Sequence, residues 1–464
     1  MIIIRQVVHE AFEVALGGKP GPVHLDLPKD VMTAICDGPL LPAPRHKLTP
    51  FAPPDAVIER VAELLDSARR PIIYAGQGVL NCHEELRELA LALHVPVTTT
   101  LHAMGAFDER HPLSLHMLGM HGAAYANFAI QNADLILAIG SRFDDRTTGA
   151  LAQYAPEALA AEKEGHGGIV HFDIEKSQFG RVLEPTVRVE GDCGPAMESL
   201  TRKVRARGGP ASRGAEAPGR AAWLARCDGW KKEMPFAFSK PAGADAGKIK
   251  TQSVIAALYE HVEKEGVGGK DVFISTGVGN HQMMACQHYR WTMPRSIVSS
   301  GSLGTMGFGL PAAIGVQMGN PDAMTFLIDG DGSFNMTLHD LGTMAQHELP
   351  VKIVLMNDGK QQMVQVWQKL FFEERVVATD NFNPDFVKLA EAYGIEAFSC
   401  DNEADLPAAI ARLVNAKGPV LADFRVLPDL CLPMVAPGKA LNDMFLPGSM
   451  SLETAEQQTG LAPS

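Results

Sequence analysis

Two acidic glycine turns, each closing an apolar run, constrain this chain more than any other feature. Residues Ala323 to Ile328 read as a strand running into Asp329-Gly330-Asp331-Gly332-Ser333. A helical stretch, Leu338 to His347, follows, and Val351 to Met356 is the next strand, running into Asn357-Asp358-Gly359. Strand, helix and strand in this order form a βαβ unit, whose crossover brings both strand ends to one edge of a parallel sheet. Asp331 and Asp358 can then face one small site. Hard oxygen ligands beside a glycine turn suit Mg²⁺ holding a diphosphate, with backbone able to approach the phosphates and Ser333 able to donate to one. Taken singly, each piece reads equally well as a capped structural turn. Paired in one unit, they favour the metal–diphosphate reading.

The centre of the chain repeats the strand-and-turn pattern. Pro71 to Ala75 leads into Gly76-Gln77-Gly78, Val95 to Thr99 is β-branched, Asp134 to Ile139 ends in Gly140-Ser141-Arg142, and Gly168 to Phe172 ends at Asp173. This alternation predicts an α/β protein of doubly wound parallel-sheet domains with ligands at the strand C-terminal ends. Gly76-Gln77-Gly78 lacks the full G-x-G-x-x-G and does not support an ordinary NAD site. Arg142-Phe143-Asp144-Asp145-Arg146 reads either as a solvated ion-pair loop or as a ligand site. At roughly 100–200 residues per domain, 464 residues allow two to four domains. Proline-rich Leu40 to Pro54 and the aperiodic stretch Ala206 to Arg220 read as linkers, with a helix at Trp223 to Trp230 and the last domain beginning near Lys248. A net charge of −13 argues against a nucleic-acid or anionic-membrane binder. No apolar run approaches the ~18 residues of a spanning helix. Seven scattered cysteines without a C-x-x-C pair read as reduced thiols rather than disulfides or zinc ligands.

Met1 to Arg5 does not read as a secretory signal. The chain opens instead on an amphipathic helix carrying Ile4, Val8 and Phe12, ended by Gly17-Gly18. A short strand, Gly21 to Leu27, is expected next, closed by Pro28-Lys29-Asp30. The same order returns near the other end, where the helix Ala409 to Asn415 precedes Lys417-Gly418-Pro419-Val420-Leu421-Ala422-Asp423-Phe424. Two copies of one domain type and a chance likeness between two common α/β endings both remain open. In the first case, most of the first copy lies outside this chain.

Gly330-Asp331-Gly332-Ser333 with Asn357-Asp358 resembles the thiamine diphosphate motif, and the match tightens around it. Thr276 to Met283, Gly301 to Gly307, Met363 to Gln368, Leu118 to Gly122 and the Arg142 to Arg146 loop resemble acetolactate synthase (acetohydroxyacid synthase) catalytic subunits of the fungal mitochondrial type. The resemblance implies residues 1–45 as the end of a pyrimidine-binding domain, 51–204 as a central FAD-binding domain, 205–247 as a linker with a short helix, and 248–464 as a diphosphate- and Mg²⁺-binding domain with a C-terminal tail. It implies Asp331, Asp358 and the Lys360 carbonyl as metal ligands. Thiamine diphosphate would meet Val278, Gly279, Asn280, His281, Gly304, Met306, Gly330, Gly332, Ser333, Met363 and Val364. FAD would lie along Lys19, Gly76, Gly78, Thr100, Leu101, His121, Gly122, Gly140, Ser141, Arg142, Asp173 and Asp192. Arg146 and Trp367 would shape the site for the second substrate, Met306 would hold the cofactor bent, and Met120, Lys29 and Asp145 would line the entrance.

The implied reaction decarboxylates pyruvate and joins the two-carbon unit to pyruvate or 2-oxobutyrate in branched-chain amino-acid biosynthesis. A homodimer or tetramer, a regulatory small subunit and a mitochondrial location are implied as well, with no nucleic-acid or membrane partner. Three positions depart from the family pattern: Asp358 replaces the second Asn, Gln362 replaces a Gly, and Lys360 replaces an acidic residue. The glutamate that activates the pyrimidine belongs to the segment outside this chain, so near-background turnover is expected of the chain alone. A non-catalytic paralogue and another FAD-containing thiamine diphosphate enzyme, such as a pyruvate oxidase, are the alternatives.

Overall fold

A computed structural model describes residues 2–35, 51–208 and 219–448. Most of the proline-rich stretch Leu40 to Pro54 and most of the Ala206 to Arg220 stretch lie outside the described residues, as does Cys36. The other six cysteines are free and buried. Among the described residues, no helix is long and apolar enough to cross a membrane.

The centre of the chain forms a six-stranded, all-parallel sheet: β1 (Pro71–Ala75), β2 (Val97–Thr99), β3 (Ser114–Met117), β4 (Leu135–Ile139), β5 (Gly168–Asp173) and β6 (Val187–Glu190). Their order in space is β3-β2-β1-β4-β5-β6, so the chain reverses its winding direction between β1 and β4. Both faces are covered. Alternate residues of β1 and β4 enter opposite cores: Ile73, Ala75, Leu135, Leu137 and Ile139 on one side, and Ile72, Tyr74, Ile136 and Ala138 on the other. Double burial explains why these strands read as continuous apolar runs rather than alternating ones.

A second parallel sheet follows: β7 (Ile249–Lys250), β8 (Val272–Thr276), β9 (Ile297–Ser299), β10 (Met324–Gly330), β11 (Lys352–Asn357), β12 (Glu396–Cys400) and β13 (Val420–Leu427). The order is β12-β13-β11-β10-β8-β9, and the two-residue β7 lies off this path, pairing with the C-terminal end of β13. Here too Phe326, Ile328, Val354 and Met356 face one core, while Leu327, Ile353 and Leu355 face the other. The doubly wound α/β expectation therefore holds for both sheets.

Three local readings change. Gly21 to Leu27 forms no strand. Five of its first six residues are exposed and no described strand lies beside it, so its backbone has no ladder to join. The helix expected from Leu338 begins as a 3₁₀ turn, Leu338–Asp340, and becomes α-helical only over Leu341–Gln346. The helix in the stretch read as a linker spans Arg220–Glu233 and belongs to the central core. Its Trp223 and Trp230 are buried there, and Trp223 Nε1 donates to the Pro71 carbonyl over 3.0 Å.

Candidate active site

The register of β10 and β11 sets the first part of the site. Gly330 pairs with Met356, so Asp331 emerges level with Asn357 and Asp358. Asp331 opens the short helix Asp331–Phe334 and is buried. The Asp358 carboxyl lies within hydrogen-bonding reach of Asp331, and burial, with the Asp331 charge beside it, pushes its pKa up to about 7. The Lys360 N–H donates to Asp358 Oδ1 over 3.0 Å, while the Lys360 ammonium turns away to Asp380 at 2.5 Å. Two crowded carboxyls, neither in an ion pair among the described residues, suit a divalent metal.

The diphosphate candidates gather at the same edge. Ser333 Oγ accepts from the backbone N–H groups of Gly307, at 3.0 Å, and Val278, at 3.4 Å. With both lone pairs engaged, its O–H remains available to donate. Gly279 precedes the helix Asn280–His288, whose N-terminus therefore points from the end of β8 into this edge. Asn280 donates one N–H to the Asp429 carbonyl over 3.1 Å, and its Oδ1 is buried without a partner. His281 Nε2 is likewise buried with no hydrogen-bond partner, 3.4 Å from Asp329 Oδ1. Gly277 has a structural reason to be glycine, since a Cβ there would sit 1.6 Å from Asp329 Oδ1.

The second-substrate candidates come from both sheets. Arg146 Nη1 approaches Met120 Sδ at 3.8 Å, and the guanidinium is exposed with no ion pair among the described residues. Met120 packs against an apolar cluster of Leu430, Met434 and, from the helix Gln362–Phe371, Val366 and Leu370; that helix also carries Met363, Val364 and Trp367. Trp367 is half-buried and meets Phe371 edge-on at 5.2 Å. Met120, Asp145 and Arg146 line a pocket of about 210 Å³ whose opposite wall is Val435 to Gly438. Met306 is half-buried and Gly304 exposed, in the loop before the helix Gly309–Gly319. Lys29 opens the five-residue helix Lys29–Thr33, is exposed, and is not among the residues lining that pocket.

The FAD candidates occupy the C-terminal edge of the central sheet. Gly76 and Gly78 follow β1, Thr100 and Leu101 follow β2, His121 and Gly122 follow β3, Gly140 to Arg142 follow β4, Asp173 ends β5, and Asp192 follows β6. Lys19 is close enough to His171 and Glu175 to act on them electrostatically, which brings it to the same edge. Several of these residues have packing roles. A Cβ on Gly76 would lie 2.2 Å from the Gly140 carbonyl oxygen, so glycine here lets the turns after β1 and β4 pack closely at the switch point. Asp192 Oδ2 accepts from the Phe51 N–H at 2.6 Å, and Asp173 Oδ1 from the Glu175 N–H at 2.9 Å. The Arg142 to Arg146 loop divides its charges: Arg142 pairs with Asp144 at 3.2 Å, and Arg146 stays unpaired among the described residues.

Sequence reasoning missed two groups. Asn381 and Asn383 both donate to Asp331 Oδ2, at 2.8 and 2.6 Å. The signal was the run Asn381-Phe382-Asn383-Pro384, which nothing in its spacing ties to a residue fifty positions earlier. The segment Val435 to Gly438 reaches the Met120 pocket through the hydrogen bond from Val435 N to the Met120 carbonyl at 2.8 Å, and it carries no chemical signature at all.

Residues 277–424 match the family described as thiamine pyrophosphate enzyme, C-terminal TPP binding domain, and residues 58–200 match the thiamine pyrophosphate enzyme central domain. The chain is 42% identical to the mitochondrial acetolactate synthase catalytic subunit of Saccharomyces cerevisiae, over 98% of this chain and 65% of that protein. It is 44% identical to the mitochondrial acetolactate synthase of Schizosaccharomyces pombe, over 96% of this chain and 66% of the relative. It is also 36% identical to the acetolactate synthase isozyme 1 large subunit of Escherichia coli, over 95% of this chain and 74% of that subunit. The chain thus spans just under two thirds of the length of the two yeast relatives.

Proposed function

The chain belongs to the acetolactate synthase family, and from that premise we propose that it decarboxylates pyruvate and condenses the two-carbon unit with pyruvate or 2-oxobutyrate, in branched-chain amino-acid biosynthesis. One observation carries the reading: the Arg146 guanidinium, unpaired among the described residues, reaches Met120, and Met120 packs against the apolar cluster that includes Val366 and Leu370 of the helix bearing Trp367.

The residues fit the cofactors. Asp331, Asp358 and the Lys360 carbonyl form a hard-oxygen set for Mg²⁺. Two buried atoms without a hydrogen-bond partner, Asn280 Oδ1 and His281 Nε2, open the helix after β8 and suit a polar ligand. Val278, Gly279, Gly304, Met306, Gly330, Gly332, Met363 and Val364 belong to the turns and helix around that edge and would enclose thiamine diphosphate. At the central edge, Thr99 Oγ1 and His121 Nδ1 are also buried without partners, which suits FAD along the β1/β4 switch point.

When bound, thiamine diphosphate supplies a nucleophilic carbon and an electron sink for the loss of CO₂. This chain's residues do the rest. The Ser333 hydroxyl and the N–H groups opening the helix Asn280–His288 hold the diphosphate. Arg146 grips the carboxylate of the acceptor acid through paired N–H donors, and Trp367 bounds the space for its alkyl group. Met120 and the Val435 to Gly438 wall shield the acceptor pocket from water. Asp145 serves at the entrance, and Lys29, which does not line this pocket, is assigned there on the family resemblance alone. The catalytic- and large-subunit names of the relatives support a regulatory small subunit as partner, and the fungal relatives support a mitochondrial location.

Product analysis tests the reading. The natural gene product, supplied with pyruvate, thiamine diphosphate, Mg²⁺ and FAD, should form 2-acetolactate, and 2-aceto-2-hydroxybutyrate once 2-oxobutyrate is added. Acetyl phosphate or peroxide as the product would overturn it in favour of an oxidase.

A further inference from the structure

Asp331 is held by two amides from a distant segment. Asn381 and Asn383 each donate an Nδ2–H to the same oxygen, Oδ2, at 2.8 and 2.6 Å. No described amide, hydroxyl or cationic side chain donates to Asp331 Oδ1; the remaining neighbour of this carboxylate is the Asp358 carboxyl. Neither amide is free to turn over. Asn381 Oδ1 accepts from Gln361 Nε2 at 3.0 Å, and Asn383 Oδ1 accepts from Asn335 Nδ2 at 2.9 Å. The second Nδ2–H of Asn383 goes to Asn357 Oδ1 at 3.1 Å, and Asn357 in turn donates to Asp423 at 3.0 Å. These bonds assign oxygen and nitrogen on both amides, so two donors face the carboxylate.

The backbone fixes the segment that carries them. Gln361 N donates to the Thr379 carbonyl at 2.7 Å and Asn381 N to the Gly359 carbonyl at 2.8 Å, with Lys360 and Asp380 bridged between them. Residues 379–381 thus lie antiparallel against residues 359–361, the turn that presents Asp358 and the Lys360 carbonyl. One short clip therefore bonds to Asp331 and braces Gly359 to Gln361, the turn next to Asp358, and its asparagines load one oxygen of Asp331.

We propose that Asn381 and Asn383 are positioning residues for the divalent metal, locking the Asp331 rotamer so that Oδ1 is the ligating oxygen. This inference rests on the function proposed above. Hydrogen bonds to a charged acceptor are stronger than neutral ones, and two on one oxygen restrict both the tilt and the rotation of the carboxylate. They also stabilise its charge without a competing cation, which would repel the metal. Groups that orient a ligating side chain are typically worth 10–100-fold in metal affinity.

The test is the metal dependence of thiamine diphosphate binding, read by titration calorimetry at stepped Mg²⁺ concentrations and by Mn²⁺ paramagnetic resonance, with the natural gene product and its Asn383→Ala and Asn381→Ala variants. Each variant should raise the metal concentration for half-maximal binding 10–100-fold, with saturation recovered at high metal. A merely structural role would instead lower the thermal midpoint in the absence of metal while leaving the metal requirement of the folded variant unchanged. Asn381 is half-exposed, so its variant serves should Asn383→Ala fail to fold. An unchanged metal requirement in folded Asn381→Ala or Asn383→Ala overturns the inference while the proposed function stands. Failure of the unmodified protein to bind thiamine diphosphate at any Mg²⁺ concentration overturns both.

Discussion

Replacing Glu109 by glutamine probes how the two sheets are clasped together. Glu109 lies in the segment before β3. Its N–H donates to the Trp291 carbonyl at 3.1 Å, and its Oε2 accepts from the Trp291 N–H at 3.0 Å, so one residue of the central unit is doubly tied to the chain after the helix Asn280–His288. The side chain is buried, and Oε1 has no partner. Burial raises its pKa from 4.5 to about 8; the Trp291 N–H and nearby Arg290 pull the other way without offsetting it. The folded state therefore holds the proton more tightly than the unfolded chain. Stability from this group is fully present below about pH 4.5 and is lost as the pH rises towards 8. At about 1.4 kcal/mol per pH unit, the cost reaches about 3 kcal/mol at pH 7. Glutamine is neutral throughout and keeps an oxygen for the Trp291 N–H. Glu109→Gln should therefore gain about 3 kcal/mol on the parent between pH 5.5 and 7.5. Urea unfolding followed by tryptophan fluorescence at the two pH values measures this. An advantage of the same size at both pH values, or none at either, would refute the argument.

Asp331→Ala should abolish Mg²⁺-dependent thiamine diphosphate binding in calorimetry, while Asp358→Asn should keep or improve it, since an oxygen ligand stays and a charge facing the diphosphate goes. A marked weakening in Asp358→Asn would show that the carboxylate is itself required. Gly76→Ala forces a Cβ to 2.2 Å from the Gly140 oxygen and should cost about 1–3 kcal/mol, with FAD lost on gel filtration; retained flavin and an unchanged melting temperature would count against the switch-point site. Arg146→Lys should lower kcat/KM for the acceptor acid by roughly tenfold or more, because an ammonium cannot match the paired donors of a guanidinium; an unchanged value would remove Arg146 from the acceptor site.

The parts of the structure legible in the sequence are those with a period or a forced conformation. Doubly buried strands such as Leu135–Ile139 and Lys352–Asn357 stood out as apolar runs ending in glycine or acidic turns, and one βαβ unit was enough to bring Asp331 beside Asp358. Gly21 to Leu27 misled because β-type residues make a strand only when another strand offers its hydrogen-bonding groups. The helix Arg220–Glu233 looked like part of a linker because its contribution is two tryptophans that fill a gap on the central sheet, not an amphipathic stripe. Asn381, Asn383 and the Val435 to Gly438 wall act through contacts between residues far apart in the chain, for which local spacing carries no signal.

Titration of the protein with thiamine diphosphate, once with Mg²⁺ and once with excess EDTA, tests the central claim most directly. Saturable binding with Mg²⁺ and none with EDTA is expected, because Asp331 and Asp358 repel a diphosphate unless a cation lies between them. Binding of equal strength under both conditions, or none under either, would contradict the metal–diphosphate site from which the rest of the account is built.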